Sequence, residues 1–179
     1  MMKESDSIVI TKKWLKEIVI GLNFCPFANQ PFINDAIRYV ELFNDDISMT
    51  LETVIRECHH LQENPEIETT LIILNNGYAS FNRYLQLIDL SEQLLEKESL
   101  SGIFQIASFH PEYIFHGLSI NDPANHTNRS PYPMLHILRE ESIDTAVDKH
   151  KDVHSIPENN ITQARKLGVD YFKNWLKNS

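Results

Sequence analysis

The sequence predicts a small layered α/β sandwich. It has three strands, or four if Tyr113–Ser119 adds a hairpin strand. They are mostly parallel, with helices on both faces and two further helices at the C-terminus. Three observations carry this expectation. Short β-branched and apolar runs alternate with longer stretches of helical periodicity, and helices of that length make the crossovers that join parallel strands. The connections are right-handed where chirality applies. The chain has 179 residues, 42% hydrophobic and 23% charged, which suits one domain spanning 1–179 with its own core.

Each element has its own signal. Ile10, Trp14, Ile18 and Leu22 recur at steps of four and predict a helix over Ser7 to Leu22, loosened at Gly21 and stopped at Pro26. "IRYVELF" (Ile37 to Phe43) reads as the first strand. Asp46 caps a second helix, whose stripe is Ile47, Leu51, Val54, Ile55, Cys58 and Leu61. "IETTLIIL" (Ile67 to Leu74) ends in four apolar residues, as in a strand buried on both faces, and Asn75-Asn76-Gly77 turns it. A third helix covers Ser80 to Lys97, and "GIFQIASF" (Gly102 to Phe109) is the third strand. A helix broken once is expected from Ser130 to about Lys149, with Ser130 at the N-cap and Pro131 at N1. After the polar connector "DKHKDVHSIPEN", a last helix starts near Pro157 or Asn160, with Asn160 and Gln163 at capping-box spacing.

Charge and composition exclude several classes. A net charge of -9 argues against non-specific binding to nucleic acid or an anionic membrane. No run approaches the roughly 20 apolar residues of a membrane span, and no export signal is read at the N-terminus. The two cysteines, Cys25 and Cys58, are then expected as reduced thiols in a cytoplasmic protein.

Function is expected between Phe109 and Glu141. This stretch holds four of the eight histidines and four of the eight prolines, so it builds neither helix nor strand easily. It begins at the carboxyl end of the third strand, where open sheets bind ligands. From Ser101 to Glu140 only Glu112, Asp122, Arg129, Arg139 and Glu140 are charged. Neutral hydrogen-bonding residues fill the rest, as an ordered, partly buried loop requires.

Within this stretch, Asn121 or Asp122 starts a turn. Asn128, Arg129 and Ser130 read as an anion pocket, with a guanidinium fork beside a helix N-terminus. The alternative is that Arg129 pairs with Asp122 or Glu112 and locks the loop. On a helix, His136, Arg139 and Glu140 share one face, which is either a solvated surface or an acid/base site with Glu140 orienting His136. His110, His116, His126, His136 and Glu140 show no metal-binding spacing, so no metal or cofactor is assigned. Cys25 lies past a helix end with no built-in activation. It is a space-filler between Phe24 and Phe27 or the thiol of a cysteine-dependent enzyme. Cys58 reads as core and His59-His60 as surface.

"GLNFCPFA", "GIFQIASFHPEYIF", "DPANHTNRSPYPMLHILREESI" and "IPENNI" together resemble a bacterial and plastid family, domain of unknown function 1415 (DUF1415). The resemblance spans nearly the whole chain, with a departure at Asn75-Asn76-Gly77. It implies no activity, substrate or cofactor. It nominates Cys25, His110, Asp122, Asn125, Asn128, Arg129, His136, Arg139 and Glu140 for testing and gives none a role.

The leading expectation is an enzyme acting on a small anionic metabolite. Asn125, Asn128, Arg129, Ser130 and Arg139 would hold its phosphate or carboxylate. His110 or His136 would move the proton, and Asp122 or Glu140 would set the tautomer. The alternatives are a non-catalytic module binding a ligand or protein through the same loop, and a Cys25-dependent thiol enzyme.

Overall fold

The computed structural model describes residues 4–149 and 152–178. His150 and Lys151, in the expected polar connector, lie outside the described residues. The chain enters through helix α1 (Asp6–Trp14), capped by the Ser5 hydroxyl. This runs directly into a π-helical stretch, Leu15–Ile20, and is followed by the short helix α2 (Asn29–Ile33). Strand β1 (Ile37–Leu42) leads to helix α3 (Ile47–Glu63), where Asp46 accepts from the Ser48 and Met49 amides as its capping position predicts.

Strand β2 (Thr69–Leu74) is buried at every position, as its run of apolar residues requires. The turn that follows needs its glycine. Gly77 has φ +85°, and a Cβ there would lie 2.2 Å from the Asp45 Cβ. Helix α4 (Phe81–Lys97) then crosses to strand β3 (Phe104–Phe109).

The next element corrects the sequence reading. Met134–Arg139 is a strand, β4, and the helix begins only afterwards as α5 (Glu140–Lys149). Ser130 and Pro131 therefore start no helix. The cause is local: a residue before proline is pushed toward extended backbone. Pro131 and Pro133 do this to Ser130 and Tyr132 in succession, and the chain arrives already straight. The Tyr113–Ser119 strand is absent, because that segment is turn and loop. The last expected helix is two helices, α6 (Ile156–Leu167) and α7 (Val169–Lys177), divided at Gly168 with φ +79°. No side chain caps α6, and Asn160 instead donates to the Phe24 carbonyl at 2.6 Å.

The sheet is mixed, not mostly parallel, with strand order β1-β2-β4-β3. β1 and β2 are parallel, and β4 runs antiparallel to both β2 and β3, between them. α3 and α4 pack on one face, where Val54, Cys58, Leu61, Tyr84 and Leu87 meet Ile72, Leu74, Leu135 and Ile137. The other face, called the inner face below, is covered by α1, its π-helical continuation, α6 and α7. There Trp14, Ile18, Val19, Phe24, Ala164 and Phe172 meet Ile37, Leu71, Ile73 and Met134. Cys58 is core, as expected.

Two side chains fasten β4. The Arg139 guanidinium donates to the carbonyls of Leu61, Asn64 (3.2 Å) and Ile67 (2.9 Å), at and just beyond the C-terminal end of α3. A cation there meets the unpaired carbonyls and negative end of that helix. Tyr84, fully buried on α4, donates to the Met134 carbonyl at 2.6 Å and accepts from the Phe109 amide at 3.0 Å. Its hydroxyl thus closes the end of the β3–β4 ladder. Tyr84→Phe leaves both backbone groups without that partner and is expected to lower unfolding free energy by about 2–4 kcal/mol. Urea denaturation reads this directly. An unchanged midpoint would mean that the two groups find other partners.

Candidate functional site

The connector from His110 to Pro133 folds over the carboxyl end of β3, and its polar residues are spent on its own backbone and on the elements it packs against. His110 is fully buried. Its Nε2 lies 2.9 Å from the Tyr78 carbonyl, and its Nδ1 accepts from the Glu112 amide at 3.0 Å. Those two contacts select the neutral tautomer with the proton on Nε2. Burial lowers its pKa further, against smaller raising contributions from the Tyr78 carbonyl and Glu112. The imidazole has no nitrogen left for a substrate.

Asn125, also buried, accepts from the Phe115 amide at 3.0 Å and donates to the Ser119 carbonyl at 2.9 Å. Asn128 donates to the Ser108 carbonyl at 3.3 Å, and the buried Ser130 hydroxyl to the Tyr132 carbonyl. Arg129 donates from Nε to Tyr113 O (3.0 Å) and from Nη2 to Ile120 O (2.9 Å). Its Nη1 lies 3.4 Å from His126 Nε2. The guanidinium locks the loop, but through carbonyls instead of the acidic partners considered above.

Asp122 caps the 3₁₀ turn Pro123–Thr127 through the Ala124 amide and takes two hydrogen bonds from Arg165, at 3.1 and 2.8 Å. Arg165 holds its carboxyl below the usual range. His126 stacks on Phe172 with centroids 4.4 Å apart, tying the loop to α7. Burial, then Arg129 and Lys173, lower its pKa to about 4.

With no helix N-terminus at Ser130 and with Arg129 turned onto carbonyls, the anion pocket loses both of its expected parts. Arg139, fixed at the end of α3, faces away from this loop's duties. Glu140 starts α5 and lies in a groove with Asp89, Glu92 and Glu96. It is not one helical turn from His136, because residues 134–139 are extended. Among the described residues, no three His, Cys, Asp or Glu side chains group to hold a metal.

His136 is different. It sits mid-strand in a row across the sheet, opposite Leu71 on β2 and Ala107 on β3. Its side chain points to the inner face, with its ring 5.9 Å from that of Phe109. Nδ1 is buried and has no hydrogen-bond partner among the described residues. Trp14 stands edge-on to the same Phe109 ring at 5.0 Å, and its buried indole N–H also lacks a partner. A third such atom, Thr70 Oγ1, belongs to the opposite face. Burial lowers the His136 pKa to about 4, so the ring is neutral at pH 7.

Sequence reasoning missed Trp14, which read only as an apolar helix position. The signal was its indole nitrogen, a donor that ordinarily takes a hydrogen-bond partner when buried. Cys25 packs at the margin of the same inner face, where burial pushes its thiol pKa up against smaller lowering contributions from the Phe27 and Ala28 backbone.

A mixed four-stranded α/β layer with a self-bonded connector across one sheet end is the class these features define. The chain belongs to the family described as protein of unknown function (DUF1415), whose model matches residues 6–174. No curated protein and no solved structure matches it significantly.

Two outcomes follow for measurement. Arg129→Ala strands the Tyr113 and Ile120 carbonyls and should cost about 2 kcal/mol in chemical denaturation; an unchanged stability would instead return the guanidinium to a role in binding. His136 makes stability pH-dependent. The unfolded chain takes up its proton near the ordinary 6.5 and the folded chain only near 4. Its contribution is complete above 6.5 and is lost as pH falls through that window. His136→Gln should therefore shrink the stability difference between pH 7 and pH 5 by about 2 kcal/mol, with His110 and His126 supplying the remainder with the same sign.

Proposed function

We propose that the protein binds a small polar molecule on its inner sheet face, and that His136 is the group it meets. A neutral imidazole nitrogen and an indole N–H, both buried and both against Phe109, make a matched acceptor or donor and a fixed donor. The observation that carries this reading is the unpartnered, buried Nδ1 of His136. Buried polar atoms of native proteins are nearly always satisfied, and an exception calls for an explanation, a catalytic role or a bound small molecule among them.

The ligand is uncharged or weakly charged where it meets this pair, because Arg129 and Arg139 direct their donors to carbonyls and supply no anion clamp. In the catalytic form of the proposal, His136 accepts or returns a proton as a neutral base. No carboxylate orients it, since Asp122 pairs with Arg165 and Glu140 lies in the groove beside α4, so its tautomer is set by the ligand. The binding-only form uses the same two nitrogens without turnover. The free thiols Cys25 and Cys58, on opposite faces of the sheet, support a cytoplasmic setting.

A thermal-shift screen of small metabolites tests this. A ligand at 100 times its Kd stabilises by about 2.7 kcal/mol. That response should disappear in His136→Leu and weaken in Trp14→Phe, which removes only the indole N–H. Nitrogen NMR of the parent should show the Nδ1 resonance move on ligand addition. A ligand that stabilises the parent and His136→Leu equally would place binding elsewhere. An Nδ1 held by one permanent internal water through the whole screen would end the proposal.

A further inference from the structure

The outer edge of the sheet lies away from His136. Strand β3 is an edge strand. The Leu74 amide donates to the Pro133 carbonyl, so the alternation of antiparallel pairing turns Met134, His136 and Leu138 toward β3. Their partners Phe109, Ala107 and Gln105 turn inward to meet them. The backbone groups of Ile106 and the Ser108 amide must then point outward. Among the described residues none of these three groups has a partner, whereas the neighbours on both sides are closed off. The Phe104 amide donates to Leu100 O, and Ser108 O accepts from Asn128.

A groove runs along this open stretch. One wall is Phe104, Gln105 and Ile106. The other is α4, which presents Asp89, Glu92 and Glu96 at steps of three and four, hence on one stripe, and Glu140 closes one end. Edge strands with unpaired backbone groups are templates for another strand, and proteins ordinarily blunt them with lysine, proline or a bulge. β3 carries none of these: its residues are Phe, Gln, Ile, Ala, Ser and Phe.

We propose that this groove docks an extended, basic peptide segment of another protein, which adds to β3 as a further strand. The backbone of Ile106 and Ser108 supplies the ladder. Alternate side chains of the added strand, about 6.8 Å apart, face α4 and bring lysine or arginine to its carboxylate stripe. Charge decides the occupant. A second copy of this chain, itself at -9, would bring acid against acid, so edge-to-edge pairing of two copies is disfavoured. Recognition by strand addition draws affinity from the main chain and selectivity from alternate side chains.

The probe is a blocked octapeptide alternating lysine and valine, titrated into the full-length protein at low salt and followed by fluorescence anisotropy and amide hydrogen exchange. Saturable binding is expected at or below millimolar peptide. It should protect the Ile106 and Ser108 amides and weaken as salt rises. The double variant Glu92→Lys, Glu96→Lys, on an exposed helix face, should weaken it at least about tenfold, as loss of two charge contacts implies. The same peptide N-methylated at alternate amides keeps its charge but cannot form the ladder, and should not bind.

Equal binding of the methylated peptide, or of a glutamate-valine octapeptide, would overturn the proposal, as would binding without protection at Ile106. So would sedimentation of the free protein as a dimer with these amides already protected. None of these readouts depends on His136, so failure here leaves the inner-face site standing.

Discussion

The structure depends on one arrangement, the pairing of β4 on both its edges. β2 and β3 do not touch; β4 is the strand that joins them, and five residue pairs on one side and six on the other make it the seam of the sheet. Because the seam is antiparallel, both of its neighbours can pair in full while running the same way. Because it is central, its side chains face two cores at once: Leu135 and Ile137 enter the α3–α4 layer, and Met134 and His136 enter the other. Among the described residues, His136 Nδ1 is one of three buried side-chain polar atoms left without a hydrogen-bond partner.

The connector owes its shape to the same seam. To return from the end of β3 into β4, the chain must cover the 24 residues between Phe109 and Met134 without a regular ladder. Backbone groups in so long an irregular stretch need partners. The neutral polar composition supplies them: asparagine amides, one histidine with both nitrogens engaged, and a guanidinium spread over loop carbonyls. Residues of these types are also what a binding site uses, and composition by itself does not separate the two roles. The partners do, and here they are mainly carbonyls and amides of the loop and of the segments beside it, with Arg165 on Asp122.

This difference marks how much was legible beforehand. Helices α3 and α4 and strands β1 to β3 follow from periodicity and capping, because each buries one simple stripe or one continuous apolar run. The turn role of Asp122 also follows, since its carboxylate accepts from the Ala124 amide. The misreading lay at "SPYPMLHILRE". Serine followed by proline is a helix start when one proline is present. A second proline two residues on forces another extended residue, and the six residues after it are the largely apolar run of a central strand. Reading Met134, Leu135, Ile137 and Leu138 as a helical stripe placed His136 beside Glu140 and created a dyad that extended backbone pulls apart. The partners of Arg129 and Arg139 were beyond sequence reasoning, since both donate to main-chain carbonyls, which carry no residue identity.

The seam also arrives late. During synthesis the ribosome delivers β1, β2 and β3 with their crossover helices well before Met134 emerges, and until then the inner flank of β2 and the facing flank of β3 are raw. A nascent chain stopped in the connector has two helical covers and a gap where its middle strand belongs, a state whose exposed apolar edges invite aggregation. The sheet is complete only once β4, entered through two prolines, pairs with both open flanks. The proline pair that hid this strand from view is the same feature that readies it to enter.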